Sequence, residues 1–232
     1  MSQASTTPTP PDERPAQAAS WGEVLGVYLF SLGCVFLVLF LGQGPLREYR
    51  GGLIGAVYLF LPTLLCRRRN LAVEEYAPLE RPTAKAVLLP VLFALLFFPL
   101  FWFVGGWLGL VAPYKAFLLP EKFGLLLLTQ FLVVAIPEEL FFRGYLQRRL
   151  DDLVPPKFKL FGVFIGPSLL LAAVAFALAH FISPPNAARL LTFFPGLAFG
   201  FLRSATKGIW AGAIFHGLCN VYLEILVAST RG

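Results

Sequence analysis

The amino-acid sequence predicts an all-α fold, a polytopic bundle of about seven transmembrane helices. Apolar residue types (AVILMFWYC) supply 57% of the 232 residues and charged types only 14%, with a mean hydropathy of +0.73. An ordinary soluble domain is roughly 45–50% apolar and about 25% charged, so a soluble fold of this length has too little interior for these side chains. Composition therefore predicts that lipid is the solvent, and lipid requires helices because it offers backbone groups no hydrogen-bond partner.

Apolar runs of about 20 residues mark the expected spans. We predict them at residues 22–43, 51–66, 86–111, 123–147, 160–182, 188–203 and 208–228. The fifth contains Gly166-Pro167, a natural break, so we expect its helix to begin at Pro167 and residues 157–166 to lie along the membrane interface. Residues 1–20 are rich in Pro, Ser and Thr and predict a disordered cytoplasmic tail, and residues 21–232 predict a single transmembrane domain.

The basic residues predict the orientation, because cytoplasmic loops carry an excess of Lys and Arg. With seven spans, one side of the membrane holds thirteen of these residues and the other six. The amino terminus is therefore expected in the cytoplasm and the carboxyl terminus outside, in a bacterial inner (plasma) membrane. The net charge of +6 does not indicate a nucleic-acid partner, because the basic residues cluster between apolar segments. We therefore expect none.

Three spans carry polar groups that are costly at membrane depth, and each such group is a candidate functional residue. They are Glu138, Glu139 and Arg143 in the fourth span, His180 in the fifth, and His216 and Asn220 in the seventh. The two histidines are the only ones in the chain, and neither lies in a predicted loop.

The spacing of these residues separates their expected roles. Glu139 and Arg143 are four residues apart and can pair on one helix face, which leaves Glu138 without a local partner. A desolvated glutamate is suited to act as a general base. His216 and Asn220 have the same spacing and present a ring nitrogen and an amide from one face.

These residues occur in three ordered motifs, EELFFR (138–143), FALAH (176–180) and HGLCN (216–220). They resemble the EExxxR, FxxxH and HxxxN motifs of the CAAX-protease and bacteriocin-processing family of intramembrane endopeptidases. The resemblance covers residues 123–228; the first three predicted spans carry no motif of the family.

The resemblance implies hydrolysis of a peptide bond in a membrane-associated or lipidated protein or peptide. It implies that Glu138 and His180 activate water and that His216 and Asn220 bind the oxyanion, with Glu139 and Arg143 in supporting roles. Substrates in the family include prenylated proteins and bacteriocin leaders, and its myxosortase-like members cut carboxy-terminal sorting helices.

A metal is the main mechanistic alternative, because two histidines and a glutamate are a known catalytic zinc set. We expect no cofactor: the zincin pattern HExxH is absent, and Asn220 supplies an amide suited to a developing oxyanion. If zinc is present, its ligands would be Glu138, His180 and His216.

Other functions remain open from the sequence. The same ionisable residues could form the proton relay of a membrane transporter, although the chain has no internal repeat of the kind common in transporters. Two histidines could bind haem, but haem sites do not need adjacent glutamates and an arginine. A member of the family without catalytic activity could act as an immunity or chaperone factor.

Overall fold

A computed structural model describes residues 18–42, 44–69, 83–109, 117–182 and 186–231. In these ranges the chain forms seven helices: α1 Trp21–Leu41, α2 Arg50–Arg69, α3 Ala84–Trp107, α4 Phe123–Leu153, α5 Pro167–Phe181, α6 Phe193–Thr206 and α7 Trp210–Arg231. Short 3₁₀ helices cover Gly44–Tyr49 and Ala187–Thr192. The predicted all-α polytopic fold is confirmed.

Five of the described helices are long and apolar enough to cross a membrane, namely α1, α2, α3, α4 and α7. The predicted fifth and sixth spans are shorter, because α5 has 15 residues and α6 has 14. A full crossing needs about 20 helical residues. The described residues therefore form the predicted number of helices, but two of them are too short for a full crossing by themselves.

The break at Gly166-Pro167 is confirmed, since α5 begins at Pro167. The preceding residues form a β-hairpin, which the sequence did not predict. Its strands are β1 Phe158–Leu160 and β2 Val163–Ile165, and they pair antiparallel with Leu160 opposite Val163. The hairpin lies between α4 and α5, outside the helices. The predicted disordered tail falls almost wholly in residues 1–17, outside the described residues.

Helix α4 is irregular around the glutamate pair. The four α-helical residues Ile136–Glu139 lie between two π-helical stretches, Thr129–Ala135 and Leu140–Gln147. Pro137 lacks a backbone N–H and so breaks the regular pattern of hydrogen bonds. Such π-helical turns widen the helix and are frequent at functional sites.

A row of polar contacts joins α4 to α6. The Arg143 guanidinium donates to the Gly196 carbonyl oxygen at 3.0 Å, and the Gln147 amide donates to the Gly200 carbonyl oxygen at 3.3 Å. Further along α4, Asp151 pairs with Arg203. The carbonyl groups of Gly196 and Gly200, in the segment GLAFG (196–200), are therefore accessible to side chains of α4.

A buried ion pair fixes α1 against α4. Arg149 donates from Nε to Glu23 Oε1 at 2.9 Å and from Nη2 to Glu23 Oε2 at 2.6 Å, and the Tyr145 hydroxyl also donates to Oε1 at 2.9 Å. Bidentate arginine–carboxylate pairs combine strength with fixed geometry. From the sequence, Arg149 counts only as one of the basic residues between predicted spans, and its contact with α1 was not predicted.

Candidate active site

Helices α4, α5 and α7 bring five of the six predicted polar residues into one largely buried cluster. The Oε2 atom of Glu138 lies 3.8 Å from Nε2 of His180 and 3.8 Å from Nε2 of His216. Glu139 contacts His216 from the other side, with 3.1 Å between its Oε1 atom and Nδ1. Residues separated by up to 78 positions thus meet around two adjacent carboxylates.

Glu138 is the member of the pair without a neutralising partner on its own helix. It is 9% exposed, and Oε2 is buried without a hydrogen bond to any described residue. A buried polar atom without a partner is costly. Its position between two histidine nitrogens distinguishes Glu138 from Glu139.

Glu139 differs in that Arg143 and His216 both contact its Oε1 atom, although its Oε2 atom is likewise buried without a hydrogen bond to a described residue. Arg143 Nη1 lies 3.0 Å from its Oε1 atom, so the pairing predicted from the spacing is present. Both side chains are fully buried. Gly212 gives Glu139 room on α7, since a Cβ atom there would lie 2.6 Å from Glu139 Oε2.

Aromatic rings pack against Arg143 and His216 in the cluster. The Arg143 guanidinium lies 4.4 Å from the ring centroid of Phe176 and 5.1 Å from that of Phe199. Phe199 also stacks on His216, with 4.7 Å between centroids and 12° between the ring planes. Such cation–π contacts strengthen when water is excluded. Phe176, the first residue of the FALAH motif, is therefore part of the support of the cluster.

Hydrogen bonds fix the ring orientation of both histidines. Nδ1 of His180 lies 3.0 Å from the Phe176 carbonyl oxygen, which can only accept a hydrogen bond. Nδ1 of His216 faces the Glu139 carboxylate, which also accepts. Each Nδ1 therefore carries hydrogen, and each Nε2 is directed toward Glu138.

Asn220 lies one helical turn from His216, and its hydrogen bond is with a residue outside the cluster. Its amide nitrogen donates to Gln130 Oε1 at 3.0 Å. An amide group has two N–H donors, so this bond leaves one of them for another acceptor. Gln130 is a site residue that sequence reasoning missed; its polar side chain in the apolar fourth span was the available signal.

The donor set fits zinc chemically, since it offers one carboxylate and two Nε2 atoms whose Nδ1 atoms are held by acceptors. Tetrahedral zinc with bonds of about 2.1 Å places its ligands about 3.4 Å apart. The two 3.8 Å separations are slightly longer, and no three His, Cys, Asp or Glu side chains of the described residues are grouped closely enough to hold a metal as they stand. A small inward movement of Glu138, His180 and His216 would be needed.

Fold and site together define an integral membrane protein with a buried centre of two carboxylates and two histidines. Residues 120–222 match the family model described as type II CAAX prenyl endopeptidase Rce1-like. This segment contains all six predicted site residues, and the match supports the resemblance to the CAAX-protease and bacteriocin-processing family. The proteins that this family model describes are prenyl endopeptidases. No curated protein and no solved structure matches the chain.

Proposed function

We propose that the chain is an intramembrane endopeptidase in which Glu138 and His180 activate water, while His216 and Asn220 stabilise the oxyanion. The observation that carries the proposal is the placement of Glu138 Oε2 at 3.8 Å from both histidine Nε2 atoms. The substrate would be a membrane-associated or lipidated protein or peptide.

Water activation follows from the geometry of Glu138 and His180. Their 3.8 Å separation is too long for a direct hydrogen bond and short enough for one water molecule to bond to both atoms. Because Nδ1 of His180 donates to Phe176, Nε2 of a neutral ring is an acceptor. Two acceptors orient the water, and the carboxylate takes its proton as the oxygen attacks the scissile carbonyl.

Oxyanion stabilisation requires His216 to donate from Nε2. Nε2 of His216 faces Glu138 and Nδ1 faces Glu139, which also pairs with Arg143. The second N–H of the Asn220 amide would supply another donor, and single donors of this kind contribute about 3–4 kcal/mol to catalysis.

Zinc is the alternative to a metal-free reaction. Glu138, His180 and His216 would hold the ion, which supplies a Lewis acid and a nucleophilic hydroxide at neutral pH. In the metal-free form Nε2 of His216 carries hydrogen, whereas a ligand nitrogen cannot. We expect active, detergent-purified protein to contain well under one zinc per chain by elemental analysis, and to keep its activity in a chelator. Stoichiometric zinc, with activity lost to the chelator and restored by the ion, would contradict the metal-free mechanism.

The protease activity is tested with Glu138→Gln, because the amide keeps the shape of the side chain but cannot accept the proton. We expect cells with the wild-type protein to produce new peptide termini in membrane proteins, measured by terminal-peptide mass spectrometry, and cells with the variant to lack them. The variant should accumulate in the membrane at the wild-type level. Glu224→Gln, on the same α7 as His216 but about one turn beyond the end of the motif, is the control and should keep cleavage. Wild-type cleavage by Glu138→Gln would exclude this residue as the base.

A further inference from the structure

The β-hairpin between α4 and α5 is a short non-helical segment with exposed large apolar side chains. Phe158 is 65% exposed, Phe161 90% and Phe164 57%, and Phe161 has the highest exposure among the large apolar residues that the structure describes. Water would make this exposure unfavourable. Aromatic side chains are enriched where the bilayer meets water.

The turn of the hairpin uses an unusual residue for its backbone shape. Phe161 has φ of +47° and Gly162 has +81°. Two positive φ angles suit a two-residue hairpin turn, in which Asn, Asp or Gly normally stands first. A bulky aromatic residue in this conformation is strained, and no fold-stabilising contact explains it because the side chain is 90% exposed. The apolar tip therefore points to a contact outside the chain.

A basic pocket lies beside the hairpin. It has a volume of about 380 Å³, and its lining includes Phe164 of the hairpin together with Arg148, Arg203 and Lys207. Two carboxylates also line it, and each is already paired: Asp151 with Arg203, and Asp152 with Arg149 and, at the longer distance of 3.8 Å, with Arg148.

Two cations of the pocket retain capacity for an anion. The Nε atom of Arg148 is buried without a hydrogen bond and lies 3.8 Å from the nearest carboxylate oxygen of Asp152. Lys207 is exposed at the carboxyl end of α6. Lys159 of the hairpin, whose Nζ atom lies 5.7 Å from the Phe164 ring centroid, adds a further positive charge beside the pocket.

The depth of the pocket separates it from the candidate active site. Arg148 follows Glu138 by ten residues, which is ~15 Å along the helix at 1.5 Å per residue. An anion bound there would lie near the end of the spans, where phospholipid headgroups are found. It is too far from Glu138 for direct participation in peptide hydrolysis.

We propose that the hairpin and the basic pocket form a binding site for an anionic phospholipid, with the headgroup in the pocket and the tip of the hairpin among the neighbouring lipids. Basic pockets near span ends bind acidic headgroups, and an exposed aromatic tip beside such a pocket supplies the apolar contact that a free anion would not use. The site is independent of the proposed catalysis.

The test measures thermal unfolding of the full-length protein in detergent as lipid is added. We expect phosphatidylglycerol to raise the melting temperature by several degrees, and phosphatidylcholine or inorganic phosphate to give little change. Arg148→Gln combined with Lys207→Gln should lose most of the shift. Arg67→Gln combined with Arg68→Gln, which removes two exposed basic residues of α2, should retain it.

Phe161→Asn separates lipid contact from fold stability, because Asn accepts positive φ more readily than Phe. This variant should be at least as stable as the wild type without lipid and should show a smaller shift with phosphatidylglycerol. Equal shifts with phosphatidylcholine, a full shift with phosphate alone, or an unchanged shift in the Arg148/Lys207 variant or in Phe161→Asn would each overturn the proposal.

Discussion

At the scale of single residues, Glu138 and Glu139 are neighbours in sequence with different environments. Glu139 is completely buried and is shared by Arg143 and His216, whereas Oε2 of Glu138 faces two ring nitrogens without a hydrogen bond. The spacing of Glu139 and Arg143 was enough to predict their pairing. The contact of Glu139 with His216 was not predictable from spacing, because the two residues are 77 positions apart and meet only through the packing of α7 on α4.

This difference predicts distinct effects of the two amide substitutions. Glu139→Gln leaves Arg143 as an uncompensated buried charge, and removal of one partner of a buried pair costs ~3–5 kcal/mol. We expect a lower yield and a lower melting temperature for Glu139→Gln, with Glu138→Gln close to the wild type in both. The double variant Glu139→Gln/Arg143→Met should recover part of the yield, because it removes the stranded charge. A normal yield and melting temperature for Glu139→Gln alone would contradict this assignment.

At the scale of helices, α1 shows how a local pattern can hide a distant contact. Ser20-Trp21-Gly22-Glu23 resembles a capping box, in which the serine and glutamate side chains bond to each other's backbone N–H groups. The serine half is present, since the Glu23 N–H donates to Ser20 Oγ at 3.2 Å. The glutamate side chain instead pairs with Arg149, 126 positions away. The apolar run located α1 well but gave no signal for its partner.

Irregular segments were the other features that helix periodicity could not predict. The hairpin between α4 and α5 has only three residues per strand, too few for alternation to be recognised. Gly166-Pro167 nevertheless marked its end, because Pro is favoured in the first turn of a helix and disfavoured within it. The π-helical stretches of α4 have no comparable marker beyond Pro137.

The α1–α4 contact makes a prediction about the stability of the bundle. Glu23→Gln removes the charge that compensates Arg149, whose side chain is 2% exposed, so we expect a loss of ~3–5 kcal/mol. Asp152→Asn removes the other carboxylate near Arg149, but Asp152 is 33% exposed, and such pairs contribute about 0–1 kcal/mol. Thermal unfolding in detergent should therefore show a clear fall for Glu23→Gln and a small one for Asp152→Asn. Similar melting temperatures for both variants would show that the Glu23–Arg149 pair is not a main contact of α1.

At the scale of the whole molecule, composition predicted the class of fold and could not predict which helices cross completely. Hydropathy alone does not distinguish a lipid-facing span from a helix that is short because other helices surround it. Buried residues of α5 and α6, among them Phe176 and Phe199, pack against the cluster on α4 and α7. Apolar character in these two helices therefore reflects protein packing as well as lipid contact.

The orientation of the bundle stays a prediction, and it affects where the candidate site and the lipid pocket face. The side of the membrane on which a loop lies depends on whether an even or an odd number of spans precedes it. For seven spans, the thirteen-to-six distribution of Lys and Arg places the amino terminus and the 67–85 loop in the cytoplasm. We introduce a reporter cysteine at position 5 or at position 75, in a variant in which the partly exposed Cys34 is replaced by alanine. Each reporter should be protected from a membrane-impermeant reagent in intact cells. A cysteine in place of Lys122, which is exposed at the start of α4, should react under the same conditions. All three cysteines should react once the membrane is permeabilised, which shows that protection arises from the membrane. Labelling of position 5 or 75 in intact cells would refute this orientation, and with it the cytoplasmic location of the basic pocket.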